Sequence, residues 1–414
     1  MPRCSAALRL ALVALVAAAA APALQGGVRA QDQTAAAKRY VVVFKPSVVD
    51  AGAAAGDLAA RLGFRTDHVY RAALKGFAAQ LPQAAADRLR GDPRVALVEE
   101  DREVKLHADI LPTGVDRIGA DIGGRLPTQP GAPVAVIDSG VDTDHPDLNV
   151  VGGFSCLRGD YDDDHGHGTH VAGIVGAKDN GRGVVGVAPG TPLYAVRVFN
   201  ASGVTYTAII ICGLDWVAAN ARAKGIKVAN VSIGGAANAK DQQACGNGTT
   251  AYHEAFCGLK RTGVTVVVAA GNENDNAANY VPATYPEVVT VSALADSDGC
   301  TGGQGPPIAY PWGTRDPDDT RAEFSNFGAD VDVAAPGSNI LSTLPKEARG
   351  GLTDPSGYGR VSGTSMAAPH VAGTIALNIK RGRGATWAEE AGVLPEGVVK
   401  VSNAINCNDG TPSQ

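Results

Sequence analysis

Residues 363–373 read Gly363-Thr364-Ser365-Met366-Ala367-Ala368-Pro369-His370-Val371-Ala372-Gly373. The pattern predicts a long helix over Thr364–Ile379 that opens at a serine. The first N–H groups of a helix have no partner inside it, so they point at whatever lies near Ser365. Pro369 falls in the early part of this helix, where a missing N–H costs little. Two more Gly-rich stretches lie upstream: Val134-Ala135-Val136-Ile137-Asp138-Ser139-Gly140-Val141-Asp142 and His165-Gly166-His167-Gly168-Thr169-His170-Val171-Ala172-Gly173. The first reads as a strand, Pro133–Ile137, ending at Asp138. The second opens a helix over His167–Gly176. Asp, then His, then Ser is one of the chain orders in which hydrolytic triads occur.

Around these stretches, strands and helices alternate, as in an α/β domain with a parallel sheet. Further strands are expected at Leu193–Val198, Val228–Ser232, Val264–Ala270, Val288–Ser292 and Val331–Ala334. Helices are expected at Thr205–Ala223 and Tyr252–Arg261. Sites in open α/β sheets gather at the carboxyl ends of strands, which is where Asp138 and the Gly271-Asn272 turn fall. Segment 297–321, rich in Gly, Pro and Asp, reads as a surface insertion.

Upstream, residues 40–99 carry a different rhythm. Strands at Tyr40–Phe44, His68–Ala72, Phe77–Leu81 and Val95–Glu99 alternate with helices at Ala53–Leu62 and Ala84–Arg90. Strand–helix–strand–strand–helix–strand is the ferredoxin-like order. A unit of this size is marginal by itself. Residues 102–112 read as an extended linker.

The chain has 414 residues, 45% of them hydrophobic, and a formal net charge of −6. That supplies a sizeable core, and no basic run points to nucleic acid. Arg3 and Arg9 precede an apolar run, Leu10 to Ala21, with small-residue cleavage sites at Ala21-Pro22-Ala23 and Val28-Arg29-Ala30. This is the pattern of a secretory signal peptide. In an oxidising compartment the six cysteines beyond Cys4 form up to three disulfides. The preferred pairs are Cys245–Cys257, close in sequence, then Cys156–Cys212 and Cys300–Cys407. The chain has no close CxxC pair, which argues against a zinc site.

The three motifs with their flanks, roughly residues 110–405, resemble the subtilase family of serine proteases, with details similar to its proteinase K branch. The resemblance implies a subtilisin-like parallel sheet flanked by helices, preceded by a small α+β ferredoxin-like propeptide domain. Residues 1–30 would be the signal peptide, 31–107 the inhibitory propeptide and 108–414 the catalytic domain. The stretch Gly76-Phe77-Ala78-Ala79-Gln80-Leu81 is similar to part of that propeptide. Its tail would lie in the substrate cleft and be cut by the enzyme itself, between about Val104 and Leu111.

A serine hydroxyl needs a base within reach, and the base needs orienting. Ser365 is therefore expected as nucleophile and Asp138 as the residue that holds the imidazole. Spacing alone does not choose among His165, His167 and His170. The family pattern His-Gly-Thr-His puts the base first, which is His167, and leaves His170 structural and His165 on a surface loop. Asn272, in Ala269-Ala270-Gly271-Asn272, matches the family's oxyanion-hole asparagine. Ser232-Ile233-Gly234-Gly235 matches the stretch that pairs with substrate as a strand, as in β-augmentation. Ala269, Ala270 and Gly271 would form the facing wall of the specificity pocket. These small apolar walls imply broad cleavage after apolar or aromatic residues. Asp162 to Asp164 would either modify that preference or form a solvated charge run.

The resemblance implies no cofactor for catalysis, but structural calcium at two places. One set is Asp147, Asn180 and the carbonyls of Lys178, Arg182 and Val184. The other is Asp332 with the carbonyls of Pro286 and Val288. Oxygen-only ligands of mixed origin suit calcium. Asn230-Val231-Ser232 and Asn247-Gly248-Thr249 fit the glycosylation pattern. The expected protein is a secreted monomer, membrane-free after signal cleavage, acting on protein and peptide substrates and held by its own propeptide.

Overall fold

The computed structural model describes residues 37–105, 114–120, 127, 129–181 and 183–401. The signal peptide, most of the expected maturation segment, Arg182 and Cys407 lie outside the described residues.

The N-terminal part is a four-stranded antiparallel sheet. Its strands are β1 (Lys38–Phe44), β2 (Thr66–Tyr70), β3 (Gly76–Leu81) and β4 (Val95–Glu100), in the order β2-β3-β1-β4. Helices α1 (Ala51–Leu62) and α2 (Gln83–Arg90) connect them. Asp50 caps α1 through the N–H of Ala53, and Gly63 ends it in the left-handed conformation, the usual pair of helix stops. The sequence places the second strand at His68–Ala72; it runs Thr66–Tyr70 instead. The N–H groups of Arg71, Ala72 and Ala73 are taken by the Asp215 carboxylate, far away in sequence.

Both faces of this sheet are buried. Alternate residues of a strand point to opposite sides. Tyr40, Val42 and Phe44 pack with Leu58, Phe77 and Leu89 under the helices. Val41 and Val43 join Tyr70, Ile209, Tyr252 and Phe256 in a second cluster. The marginal small unit thus gains a second apolar interface from the larger one.

The larger part is built on a mainly parallel sheet. Its strands are β5 (Val134–Asp138), β6 (Val150–Ser155), β7 (Leu193–Arg197), β8 (Val228–Val231), β9 (Thr265–Ala269), β10 (Val289–Ala295), β11 (Val333–Pro336) and β12 (Val398–Lys400). The order is β12-β11-β10-β9-β8-β5-β7-β6, with Ala388–Glu390 pairing antiparallel on β12. Helices α3 (His167–Gly176), α4 (Thr207–Lys224), α5 (Ala251–Arg261) and α6 (Thr364–Lys380) flank it. One core cluster packs α3 and α6 on one side of the sheet, and the other packs α4 and α5.

Four points of the sequence reading need correction here. Strand β6 is missing from the expected strands, because Gly152 and Gly153 interrupt the β-forming residues of Val150–Ser155. Helix α4 starts at Thr207, not Thr205. Tyr206 is extended, and Val204–Tyr206 forms a short antiparallel strand with Glu103–Lys105. That pairing also makes the start of the expected linker a strand. The sheet strand expected at Val331–Ala334 runs Val333–Pro336, because Asp332 bonds to Thr290 instead.

Candidate active site

Asp138 ends β5 and His167 begins α3; both are fully buried. Nδ1 of His167 lies 2.8 Å from Oδ1 and 2.9 Å from Oδ2 of Asp138. Backbone geometry makes this approach possible. A Cβ at Gly166 (φ 97°) would sit 1.9 Å from the Leu352 carbonyl, and one at Gly168 would sit 2.0 Å from that of Gly140. Only glycine fits either position. Nε2 of His167 is buried and has no hydrogen-bond partner, so the imidazole keeps one nitrogen open to the site.

The other two histidines are differently placed. His170 is fully buried, its Nε2 sits 3.2 Å from the Gly359 carbonyl, and burial pushes its pKa down to about 3. His165 is half-buried rather than on the surface, and burial lowers its pKa.

Ser365 is the second residue of α6, which packs on α3. Pro369, four residues on, has no N–H to bond the Ser365 carbonyl as an ordinary helix would. The hydroxyl of Ser232 fills the gap, donating to that carbonyl at 2.9 Å, while Asn230 Nδ2 donates to Ser232 Oγ at 2.8 Å. The Ser365 hydroxyl donates to the Ser232 carbonyl at 3.4 Å. Catalytic hydrogen bonds are commonly long or misdirected without substrate.

Asn272 follows the carboxyl end of β9. Its Oδ1 accepts from the N–H and hydroxyl of Thr364, at 2.8 and 2.9 Å. That fixes the amide and leaves Nδ2 as its uncommitted donor. Ser232, Ile233 and Gly234 are buried, and Gly235 pairs with Val281. Ala269, Ala270 and Gly271 are buried at the end of β9, with the Gly271 N–H held by Thr364 Oγ1 at 3.1 Å.

The acidic run is solvated only in part: Asp162 is exposed and Asp164 half-buried. Asp163 is buried and accepts from Ser139 Oγ, Thr169 and the N–H groups of His165 and Gly166. Ser139 Oγ in turn accepts from Gly168 N. Asp163 therefore braces the Asp138 turn against the start of α3. Asp164 pairs with Arg197, and Asp162 accepts from Thr143. No sequence signal announces this brace, because Ser139 lies far from Asp163 in sequence and meets it only in the fold.

Of the expected calcium ligands, Asp147 is fully buried and meets the loop expected of it. Asn180 Nδ2 lies 2.6 Å from Oδ1; Val184 N and Tyr358 Oη lie 3.2 and 2.8 Å from Oδ2. The Lys178 ammonium turns to the Pro146 carbonyl, which keeps its charge off the carboxylate. These neighbours are donors to the carboxylate, so a cation here would need the Asn180 amide to turn its oxygen inward. At the second place Asp332 is exposed and takes the Thr290 N–H at 2.8 Å. Two of the expected disulfides are present, Cys156–Cys212 and Cys245–Cys257. The Cys300–Cys407 pair falls outside the described residues. Asn230 is buried and Asn247 exposed.

The small domain meets the larger one at helix starts. Asp101 Oδ1 accepts from Thr207 Oγ1 and Ala208 N, at 2.7 and 2.6 Å, capping α4. Glu99 faces the backbone N–H groups of Ala251 and Tyr252 at the start of α5, and burial pushes its pKa up to about 7. Arg102 pairs with Asp241 at 3.1 Å. Sequence reasoning missed Glu99, Asp101 and Asp215, because a carboxylate that meets backbone N–H groups of another domain looks like any surface acid.

An α/β fold with a buried Asp–His pair and a serine at a helix start defines a serine hydrolase. The profile of the Subtilase family matches residues 129–403, and that of Peptidase inhibitor I9 matches 39–107. Subtilisin J of Geobacillus stearothermophilus is 35% identical over 362 residues, covering 86% of this chain and 83% of its own. The extracellular serine proteinase of Thermus sp. (strain Rt41A) is 36% identical over 344 residues, 80% of this chain and 73% of its own. The crystal structure of a cold adapted subtilisin-like serine proteinase superposes with a TM-score of 0.52 at 32% identity, covering 70% of this chain and 96% of that one. The chain belongs to the subtilase family and is a subtilisin-like serine peptidase preceded by an inhibitor I9 propeptide domain.

Proposed function

We propose that the protein is a secreted endopeptidase, monomeric and free of the membrane, that matures by cutting off its own propeptide. Residues 1–30 direct export, 31–107 inhibit, and 108–414 form the enzyme. The observation that carries the reading is the buried Asp138–His167 pair with an open Nε2, beside a helix that begins at Ser365. His167 takes the Ser365 proton as the hydroxyl attacks the peptide carbonyl, then returns it to the leaving amine. Asp138 holds the tautomer and balances the imidazolium. Asn272 Nδ2 and the Ser365 N–H stabilise the oxyanion, and water hydrolyses the acyl-enzyme.

Substrate lies as a strand against Ser232–Gly235, with its apolar or aromatic side chain between that wall and Ala269–Gly271. The pairing of Glu103–Lys105 with Val204–Tyr206 supports a cleft that binds extended chain, the propeptide tail included. Calcium at Asp147 and at Asp332 has a structural role only. Among the described residues no helix is long and apolar enough to cross a membrane.

Intact mass of the secreted protein tests this reading. The wild type should shrink to a product that starts near residues 104–111, while Ser365→Ala keeps residues 31–107. If both stay full-length apart from the signal, the chain is a silent relative and the reading fails. If both shrink alike, another protease performs the cut and self-processing fails.

A further inference from the structure

The sequence argues against zinc because the chain has no close CxxC pair. The fold supplies the missing ligands from elsewhere. Around the Cys245–Cys257 disulfide stand His253, one turn before Cys257 on α5, and Glu287, from the segment before β10. One ligand atom from each of the four lies within 4.8 Å of the others. Glu287 Oε1 is 3.2 Å from Cys245 Sγ, and Glu287 Oε2 is 2.7 Å from His253 Nε2. Around tetrahedral zinc, with Zn–S of about 2.3 Å and Zn–N of about 2.0 Å, ligand atoms stand roughly 3.3–3.8 Å apart. To admit the ion the two sulfurs, joined in the disulfide, must separate, and the His253–Glu287 pair must open from 2.7 Å.

His253 is already oriented as a ligand. The Thr249 hydroxyl donates to the Lys240 carbonyl at 2.9 Å, so toward Nδ1, 2.9 Å away, it acts as acceptor. Nδ1 therefore carries the proton, and Nε2 faces Glu287 and the sulfurs. A ligating histidine commonly donates its other N–H to such an outer partner. The Tyr285 ring stacks on the imidazole at 3.9 Å and 2°, which fixes its plane. His253 and Cys257 are buried, while Cys245 and Glu287 are partly open to solvent and leave a path for an ion.

We propose that Cys245, His253, Cys257 and Glu287 form a zinc site that the disulfide closes and reduction opens. A dithiol breaks the Sγ–Sγ bond, gives two thiols and becomes a cyclic disulfide itself. Zinc then displaces the two thiol protons and the proton shared by His253 Nε2 and Glu287. It takes two thiolates, one imidazole and one carboxylate. The ion sits on α5, the helix whose first turn receives Glu99 from the small domain.

The test uses the full chain carrying Ser365→Ala, so that it stays intact. It is reduced with dithiothreitol, passed through an anaerobic desalting column and titrated with Co²⁺, then Zn²⁺. One equivalent of cobalt should give the visible bands of a tetrahedral site and a near-ultraviolet thiolate band, both bleached by zinc. The oxidised chain should give neither. His253→Ala keeps every thiol and should lose the bands; Thr249→Val should weaken binding about 10–100-fold. No bands in the reduced, folded chain, or equal titration by His253→Ala, would overturn the site. If reduction unfolds the chain, zinc should restore its circular dichroism, and failure to do so also sinks the proposal.

Discussion

Ser232 and Ser365 hold each other's backbone. The Ser232 hydroxyl donates to the Ser365 carbonyl at 2.9 Å, and the Ser365 hydroxyl donates to the Ser232 carbonyl at 3.4 Å. The first bond replaces the helical one that Pro369 cannot make. The wall expected to bind substrate and the residue expected to attack it therefore share one hydrogen-bonded seam. For attack, the Ser365 hydroxyl leaves the Ser232 carbonyl for His167 Nε2.

Ser232→Ala should therefore do more than trim a pocket. It leaves the buried Ser365 carbonyl and the Asn230 amide short of a partner, at a cost of about 1–3 kcal/mol. A lower midpoint in urea should accompany slower labelling of Ser365 by a fluorophosphonate. Unchanged labelling would show that the seam does not set the position of Ser365.

Asn272→Ala should lower kcat by ~10²–10³ with a smaller change in KM, because the lost donor acts on the oxyanion. That magnitude is the one measured for the oxyanion-hole asparagine of subtilisin, a member of this family, carried over to Asn272 by the match of their roles. A fluorogenic peptide assay on matured enzyme reads it. An equal rise in KM at constant kcat would place Asn272 in ground-state binding instead.

Asp138→Asn should keep the fold and drop kcat by ~10⁴, by favouring the wrong tautomer of His167. The check is kcat together with the circular dichroism spectrum. Retained turnover would remove Asp138 from the proposed triad.

Glu99 should make docking of the small domain pH-dependent. Burial raises its carboxyl from 4.5 to about 7, so the docked state disfavours the ionised form. The penalty is absent below the unfolded pKa, grows as pH rises toward 7 and is complete above it. His170 and His370 act in the opposite sense. Burial lowers them to about 3 and about 4, so stability falls as pH drops below about 6.5. The readout is therefore a difference. In the Ser365→Ala background, the thermal midpoint of Glu99→Gln should gain on Glu99 as pH rises from 4.5 to 7, then level off. A constant difference across that range would mean that Glu99 stays ionised when docked.

Calcium removal should lower the thermal midpoint of the matured enzyme and leave kcat at low temperature unchanged, since neither proposed ion touches the triad. Asp147→Asn should abolish most of the chelator effect. A chelator that lowered kcat at once, with no change in midpoint, would count against a structural role.

The linear sequence determined the local pieces. The continuous apolar run of β1, the glycines around His167, and the serine opening α6 are short-range patterns fixed by backbone sterics and side-chain character. They made both domains legible, along with the residues expected to act. It could not show where side chains from distant segments meet. Asp215 closing β2, Asp101 and Glu99 capping helices of the larger domain, Ser232 standing in for the N–H of Pro369, and Glu287 joining His253 beside a disulfide are all of this kind. In each, a polar group finds a partner dozens or more residues away. Buried donors and acceptors must be satisfied, but only the packed chain decides by whom.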